Sequence, residues 1–265
     1  MQENFNPPKK QEHLKEGVKP IFVSVGTPGN FSKAEADDEQ GLFQNHISKD
    51  FGLHNPQEIN WEAGAPKLRE QNFLNSGELT YVISTLDSTD KFSKGLFPCT
   101  SLIVCGISKK TGEKISFLTH LAPRALFSNL VEEDKKDEFI DHLRQRLTEV
   151  ANQCEEGTVD AVIVGGAYAS RDDDRTKMVS LVGSNYIKSV NDSYIGSIKL
   201  VSTEVARILK FEPTVVYGPK INSRGQDDIY FDNENRRAYL VRPELSVNTK
   251  DFVPSDIEEE RRKWQ

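Results

Sequence analysis

The sequence predicts an α+β protein in which two helices pack on one face of a mixed, largely antiparallel sheet. Three observations support this class. Short apolar runs of strand length dominate the chain, turn residues separate these runs, and two segments with helical periodicity follow late in the sequence. The chain has 265 residues, of which 36% are hydrophobic and 28% charged. This composition is ordinary for a soluble protein with one large domain or two small ones.

The clearest strand pair is a hairpin in the middle of the chain. Thr100–Ile107 consists almost entirely of apolar or small residues, as expected for a strand buried on both faces. A polar turn follows, in which Gly112 can supply the positive φ that a hairpin connection requires. The return strand ends at His120. Because a hairpin brings its outer ends together, we expect Cys99 and His120 to be neighbours in space.

The remaining elements are predicted from periodicity and from turn residues. Apolar side chains recur at helical spacing on one face of the first helix, for example at Phe139, Leu143 and Leu147. Residues 87–94 are predicted to be a loop, and residues 30–75 show no pattern that assigns regular structure. The predicted helices are 131–154 and 193–209, and the further predicted strands are 20–25, 77–85, 159–164, 214–217, 228–231 and 238–241.

The chain is expected to contain one domain with extensions at both ends. The predicted division is a mobile polar tail at 1–18, an N-terminal extension of unassigned structure at 19–75, one domain at 76–243 and a charged tail at 244–265.

The charge and the cysteine count restrict the function and the compartment. A net charge of −7 argues against nucleic-acid binding. No apolar run is long enough to span a membrane, and the polar N-terminus carries no secretory signal. The three cysteines have no metal-type spacing, so reduced thiols in the cytoplasm are expected. A bacterial effector exported without a classical signal would show the same features.

The central hairpin carries the candidate chemistry. Cys99 is a candidate nucleophile, because a thiol attacks as its thiolate and the imidazole of His120 can take the proton. Ser93 lies six positions before the cysteine, and its hydroxyl could orient the histidine. Cys99 follows Pro98 at a junction between a loop and a strand, so its own backbone N–H and that of Thr100 could stabilise a developing oxyanion. The alternative is structural, since a cysteine at a strand edge often serves only as a small hydrophobe.

The order of these motifs resembles the CheD family, whose members are glutamine deamidases that act on bacterial chemoreceptors. The resemblance rests on Gly77-Glu78 before a strand, a hydroxyl residue six positions before a cysteine, the pattern Cys-x5-Cys-x-Ile, and a strand ending in His followed by Leu-x-Pro. It continues through a helix, a strand ending in Gly-Gly-Ala, and a closing hairpin, and so covers roughly residues 77–242. It implies an α/β/β layered sandwich with a Cys–His–Thr triad.

Carried over by position, the resemblance makes Cys99 the nucleophile and His120 the base, with Ser93 in place of the family's threonine. The chain departs from the family where Phe97-Pro98 replaces Gly-Ser before the cysteine. The implied function is that of a cysteine-dependent protein glutamine deamidase with a protein substrate and without cofactor or metal. Two alternatives stay open: a CheD-like binding module without catalysis, and a transglutaminase or other thiol amidohydrolase that uses the same site. The oligomeric state is not predicted.

Overall fold

The computed structural model describes residues 13–27, 30–33, 57–58, 74–75, 81–96, 99–123, 133–165, 184–216 and 227–241. These residues form twelve strands and two helices. The strands are β1 Phe22–Thr27, β2 Asn30–Lys33, β3 Gln57–Glu58, β4 Leu74–Asn75, β5 Tyr81–Ile83, β6 Lys91–Leu96, β7 Thr100–Ile107, β8 Lys114–Leu121, β9 Asp160–Gly165, β10 Thr214–Val216, β11 Asp227–Asp232 and β12 Arg237–Val241. The helices are α1 Glu133–Gln153 and α2 Ser184–Leu209.

The strands form two six-stranded sheets. The central sheet has the order β10-β9-β7-β8-β5-β4, and the outer sheet has the order β2-β1-β12-β11-β6-β3. Three pairs are parallel, namely β1 with β12, β3 with β6 and β9 with β10, and the other seven described pairs are antiparallel. The prediction of an α+β fold with two helices and mixed, largely antiparallel pairing is therefore confirmed. The periodicity predicts one sheet, whereas the structure has two, as in the α/β/β layering that the resemblance implies.

Two apolar cores lie on the two faces of the central sheet. On β7, Leu102 and Val104 belong to the core that includes both helices. Ile103 and Cys105 belong to the core that includes the buried side chains of the outer sheet. Because successive strand residues point to opposite faces, β7 is buried on both sides. The layers therefore run helices, central sheet, outer sheet.

Both helices bury the predicted apolar faces. In α1, Phe139, Leu143 and Leu147 are at most 1% exposed, which confirms the helix predicted for 131–154. In α2, the apolar residues between Ile195 and Val205 pack in the same core. This helix begins at Ser184 and not at 193 as predicted, because its first turns are rich in polar residues that weaken the helical pattern.

The central hairpin forms with the predicted bounds. β7 covers the predicted range, β8 ends one residue after His120, and Gly112 in the turn has a φ of +72°. Gly106 on β7 lies against the end of α1, where an added Cβ would stand 2.6 Å from Cys154 Sγ. The absence of a side chain at this position therefore lets the helix approach the sheet.

The prediction of a loop at 87–94 is wrong in its second half, because Lys91–Leu96 is strand β6 of the outer sheet. The side chains of Lys91 and Ser93 are both fully buried. The Lys91 ammonium donates to Asp87 Oδ1 at 3.0 Å and to the carbonyl of Thr89 at 2.8 Å. Since polar side chains occupy the buried face, the segment lacks the apolar alternation from which a strand is predicted.

Segments before residue 76 also join the sandwich. β1 pairs in parallel with β12, and β4 pairs with β5, which lies within the strand predicted at 77–85 and ends at Ile83. The Lys15 backbone N–H donates to the Gly157 carbonyl at 2.8 Å, and so anchors the described part of the predicted N-terminal tail. The predicted tail at 244–265 lies outside the described residues. Within the described chain, neither helix is long and apolar enough to cross a membrane.

Candidate active site

The register of the central hairpin places Cys99 and His120 on one face of the central sheet. Thr100 pairs with Leu121, so the residue before β7 lies opposite Ala122 and diagonal to His120. Diagonal neighbours in an antiparallel pair lie about 7–8 Å apart at their backbones, within reach of a long side chain. Cys99 belongs to the core between the two sheets. The structure thus brings the predicted nucleophile and the predicted base to the same end of the same hairpin.

Ser93 reaches this site from the outer sheet. It lies on β6 opposite Ile229 of β11, and its Oγ is 2.7 Å from His120 Nδ1. Both residues are fully buried. This hydrogen bond crosses the space between the sheets and fixes the orientation of the imidazole plane. The sequence predicts that the Ser93 hydroxyl lies near His120 only by analogy with a triad. In the structure, this hydroxyl comes from β6 of the outer sheet, whereas His120 belongs to the central sheet.

Burial keeps the His120 ring neutral. Desolvation lowers the pKa of His120 from 6.5 to about 3. At neutral pH the ring therefore carries one proton, shared between two tautomers. In the tautomer in which Nδ1–H donates to Ser93 Oγ, the other nitrogen, Nε2, carries the lone pair. In this tautomer Nε2 can accept a proton, but the lowered pKa makes the ring a weaker base than an exposed histidine.

Cys99 is 4% exposed. The other two cysteines differ from it in their position in the fold. Cys105 lies mid-strand and Cys154 at the end of α1, and burial raises their pKa to about 12 and about 11 respectively. Neither adjoins the histidine that Ser93 binds, because Cys105 pairs with Ser116 and Asp160, and Cys154 forms a bridge with Ser108. The sequence interpretation of Cys105 as a core residue agrees with this burial.

Of the two residues predicted to support an oxyanion, Thr100 lies within the described residues. Thr100 is a central strand residue, with Leu121 on one side and Gly165 on the other. Its hydroxyl lies 3.4 Å from Ser197 Oγ of α2, on the face opposite Cys99. The side chain of Thr100 therefore faces away from the nucleophile, and only its backbone N–H could serve there. Pro98 and the preceding Phe97 lie outside the described residues.

The sequence did not indicate that side chains interrupt the hairpin ladder beside His120. The Leu102 backbone N–H donates to Thr119 Oγ1 at 2.8 Å, and Ser101 Oγ donates to the Thr119 carbonyl. Two backbone groups of the hairpin next to His120, the Leu102 N–H and the Thr119 carbonyl, thus form hydrogen bonds with side-chain hydroxyl groups. The sequence shows a hydroxyl residue on each strand, Ser101 and Thr119, but their proximity can be recognised only once the register of the hairpin is known.

A second feature that the sequence did not show is the close packing of α2 at this end of the sheet. A Cβ on Gly165, the strand partner of Thr100, would stand 1.8 Å from Tyr194 Oη. Tyr194 is fully buried. Glycine is therefore required here, so that the tyrosine can lie against the end of β9 and α2 can pack on the face of the central sheet opposite Cys99.

Among the described residues, no three His, Cys, Asp or Glu side chains are grouped so that they could hold a metal ion. Comparison of the chain with protein-family models and with curated proteins gave no match.

Proposed function

We propose that the protein is a cysteine-dependent protein glutamine deamidase with a CheD-like site, in which Cys99 is the nucleophile and His120 the general base. The observation that carries the proposal is the 2.7 Å contact between Ser93 Oγ and His120 Nδ1, made on the face of the hairpin that also carries Cys99. A hydroxyl that engages one nitrogen of a neutral imidazole leaves the other nitrogen to accept a thiol proton. The three residues lie within 28 positions of the sequence, and Ser93 approaches His120 from the outer sheet.

The proposed reaction proceeds through a thioester. Cys99 Sγ attacks the side-chain amide carbon of a glutamine while the thiol proton passes to His120 Nε2. The C–N bond then breaks, and the departing nitrogen takes that proton and leaves as ammonia. Water attacks the thioester, His120 accepts a proton from it, and cleavage of the C–S bond gives glutamate and regenerates the thiol. In this scheme Ser93 does not exchange protons with the substrate and acts as a positioning residue.

Transglutamination is a variant of the same mechanism, in which an amine and not water resolves the thioester. A protein-binding module without catalysis is the rival function. Its supporting observation is the burial of the site, since Cys99 is 4% exposed and His120 and Ser93 are fully buried. Catalysis requires that a glutamine side chain reach Cys99, and binding alone does not.

The test is an assay of released ammonia with glutamine-containing protein extracts, together with mass spectrometry of the treated proteins. We expect ammonia release and conversion of specific glutamines to glutamate, both abolished in Cys99→Ala and retained in the matched variant Cys154→Ala. Incorporation of an added amine in place of water would identify the transglutaminase variant. Equal behaviour of wild type and Cys99→Ala would overturn the proposal and favour the binding module.

A further inference from the structure

A cavity of about 390 Å³ lies at the end of the sandwich that is remote from Cys99 and His120. It opens beside the turn of the β7–β8 hairpin, where Ile107 and Lys114 contribute to its wall. Eight strand residues separate this end from the candidate active site, which corresponds to about 25 Å. The lining residues are Gly17, Val18, Lys19, Phe22, Ile107, Lys114, Glu234, Asn235, Arg236, Arg237 and Tyr239.

The charge of the lining is opposite in sign to that of the whole protein. Among the described residues that line the cavity, four are cationic (Lys19, Lys114, Arg236 and Arg237) and one, Glu234, is a carboxylate. The chain as a whole has a net charge of −7. A concave site lined with one sign of charge attracts ligands of the opposite sign. The cavity therefore favours an anion, although the protein as a whole repels anions.

Arg236 is the central observation, because its charge is buried. The residue is 3% exposed, and its Nη2 donates to the carbonyls of Thr158 at 2.9 Å and of Cys105 at 3.4 Å. Its Nε is buried, and no hydrogen-bond acceptor within the described part of the chain reaches it. None of the described carboxylates forms an ion pair with Arg236. A buried guanidinium normally has an anionic partner, since an uncompensated charge is costly away from water.

The backbone at Arg236 indicates that this position is constrained. Arg236 has a φ of +54°, in the region that favours glycine. Its backbone carbonyl accepts a hydrogen bond from Phe22 N–H at 2.9 Å. The turn between β11 and β12 thus holds a bulky cationic residue in a conformation that costs free energy, and this residue lines the cavity.

The other walls suit an anion that carries an organic group. The guanidinium of Arg237 lies 5.6 Å from the centre of the Phe22 ring, and Arg237 also faces Asp232 across the hairpin. Lys114 is paired with Glu234 at 2.8 Å, and Lys19 is an exposed lining residue. A cavity of this size falls in the range of small-molecule sites, and arginines recognise phosphoryl oxygens through two or more charge-assisted hydrogen bonds.

We propose that this cavity is a binding site for a phosphoryl group, carried by a small phosphate ester or present as free phosphate, with Arg236 and Lys19 as ligand-binding residues. The site shares no residue with the candidate active site. A negative result for the phosphoryl site would therefore leave the proposed deamidase function untouched, and the reverse also holds.

The test is isothermal titration calorimetry of the full chain with matched pairs of probes: adenosine 5′-monophosphate against adenosine, and glucose 6-phosphate against glucose. Inorganic phosphate is a separate arm that distinguishes the free anion from an ester. We expect saturable binding of the phosphorylated member of a pair, or of inorganic phosphate, at least about tenfold tighter than that of the uncharged compounds. Binding should weaken as ionic strength rises, and Cys99→Ala should bind as wild type does.

Three variants assign the site. Arg236→Gln should weaken binding by about tenfold or more. Lys19→Gln, which alters only an exposed side chain, should weaken it by about two- to fivefold and keeps the test valid if Arg236→Gln does not fold. The matched control is Lys110→Gln, an exposed lysine in the nearby hairpin turn that does not line the cavity. Equal affinity for charged and uncharged probes, or equal affinity of Lys19→Gln and Lys110→Gln for the phosphorylated probe, would overturn the proposal.

Discussion

Replacement of His120 by asparagine should remove a specific part of the pH dependence of stability. Asn retains a side-chain amide near the position of Nδ1, so the partner of Ser93 Oγ is kept while the titrating group is lost. In the folded protein, burial lowers the pKa of His120 to about 3, against 6.5 in the unfolded chain. A proton therefore binds the unfolded state first as the pH falls. The stabilisation by neutral, buried His120 is complete above pH 6.5 and is lost progressively towards pH 3.

The magnitude follows from the width of that window. At 1.36 kcal/mol per pH unit, protonation of the unfolded imidazole between pH 7 and pH 5 lowers the free energy of unfolding by about 2 kcal/mol. The assay is urea denaturation of wild type and His120→Asn at both pH values, followed by circular dichroism. Wild type should lose about 2 kcal/mol more than the variant between the two conditions. Equal losses in the two proteins would show that the ring titrates normally and would refute the buried, neutral base.

Substitutions at three further positions test the hydrogen bond to His120, the packing of α2 and the hairpin turn. Ser93→Ala removes a buried partner of the imidazole, so it should lower the free energy of unfolding by about 1–3 kcal/mol and reduce deamidation. Ser93→Thr, which keeps the hydroxyl, should retain more activity than Ser93→Ala in the ammonia assay, and the reverse order would contradict the positioning role. Gly165→Ala forces a Cβ against the Tyr194 ring and should cost about 1–3 kcal/mol in thermal or urea unfolding, whereas an unchanged midpoint would show that α2 can move away. Gly112→Ala meets no atom within 4 Å but imposes the φ of +72° on alanine; a cost of about 1–2 kcal/mol is expected, with Gly112→Asn closer to wild type, and equal effects of the two would contradict the conformational argument.

The sequence could predict those elements whose hydrophobic pattern is local. The sequence predicts β7 and β8 because their apolar runs flank a turn with glycine, and it predicts α1 because apolar residues recur at helical spacing. The closeness of Cys99 and His120 follows from the hairpin alone, since an antiparallel register fixes which ends meet. These predictions needed no knowledge of distant partners.

The remaining features depend on pairings between distant parts of the chain. β6 has polar side chains on its buried face, and its partner β11 lies more than a hundred residues later, so no local pattern distinguishes it from a loop. For the same reason the sequence could not show that Ser93 approaches His120 from a second sheet. The buried charge of Arg236 was also missed, because a single arginine in a turn between strands usually lies in solvent.

The measurement that tests the central claim most directly is the rate of alkylation of each cysteine at neutral pH, followed by mass spectrometry in wild type and in His120→Asn. Cys105 and Cys154 serve as internal references, since burial raises the pKa of each well above neutrality. We expect Cys99 to react much faster than both, and its rate to fall in His120→Asn while the reference rates stay unchanged. Three equally slow cysteines, or a Cys99 rate that does not depend on His120, would contradict the assignment of Cys99 and His120 as nucleophile and base.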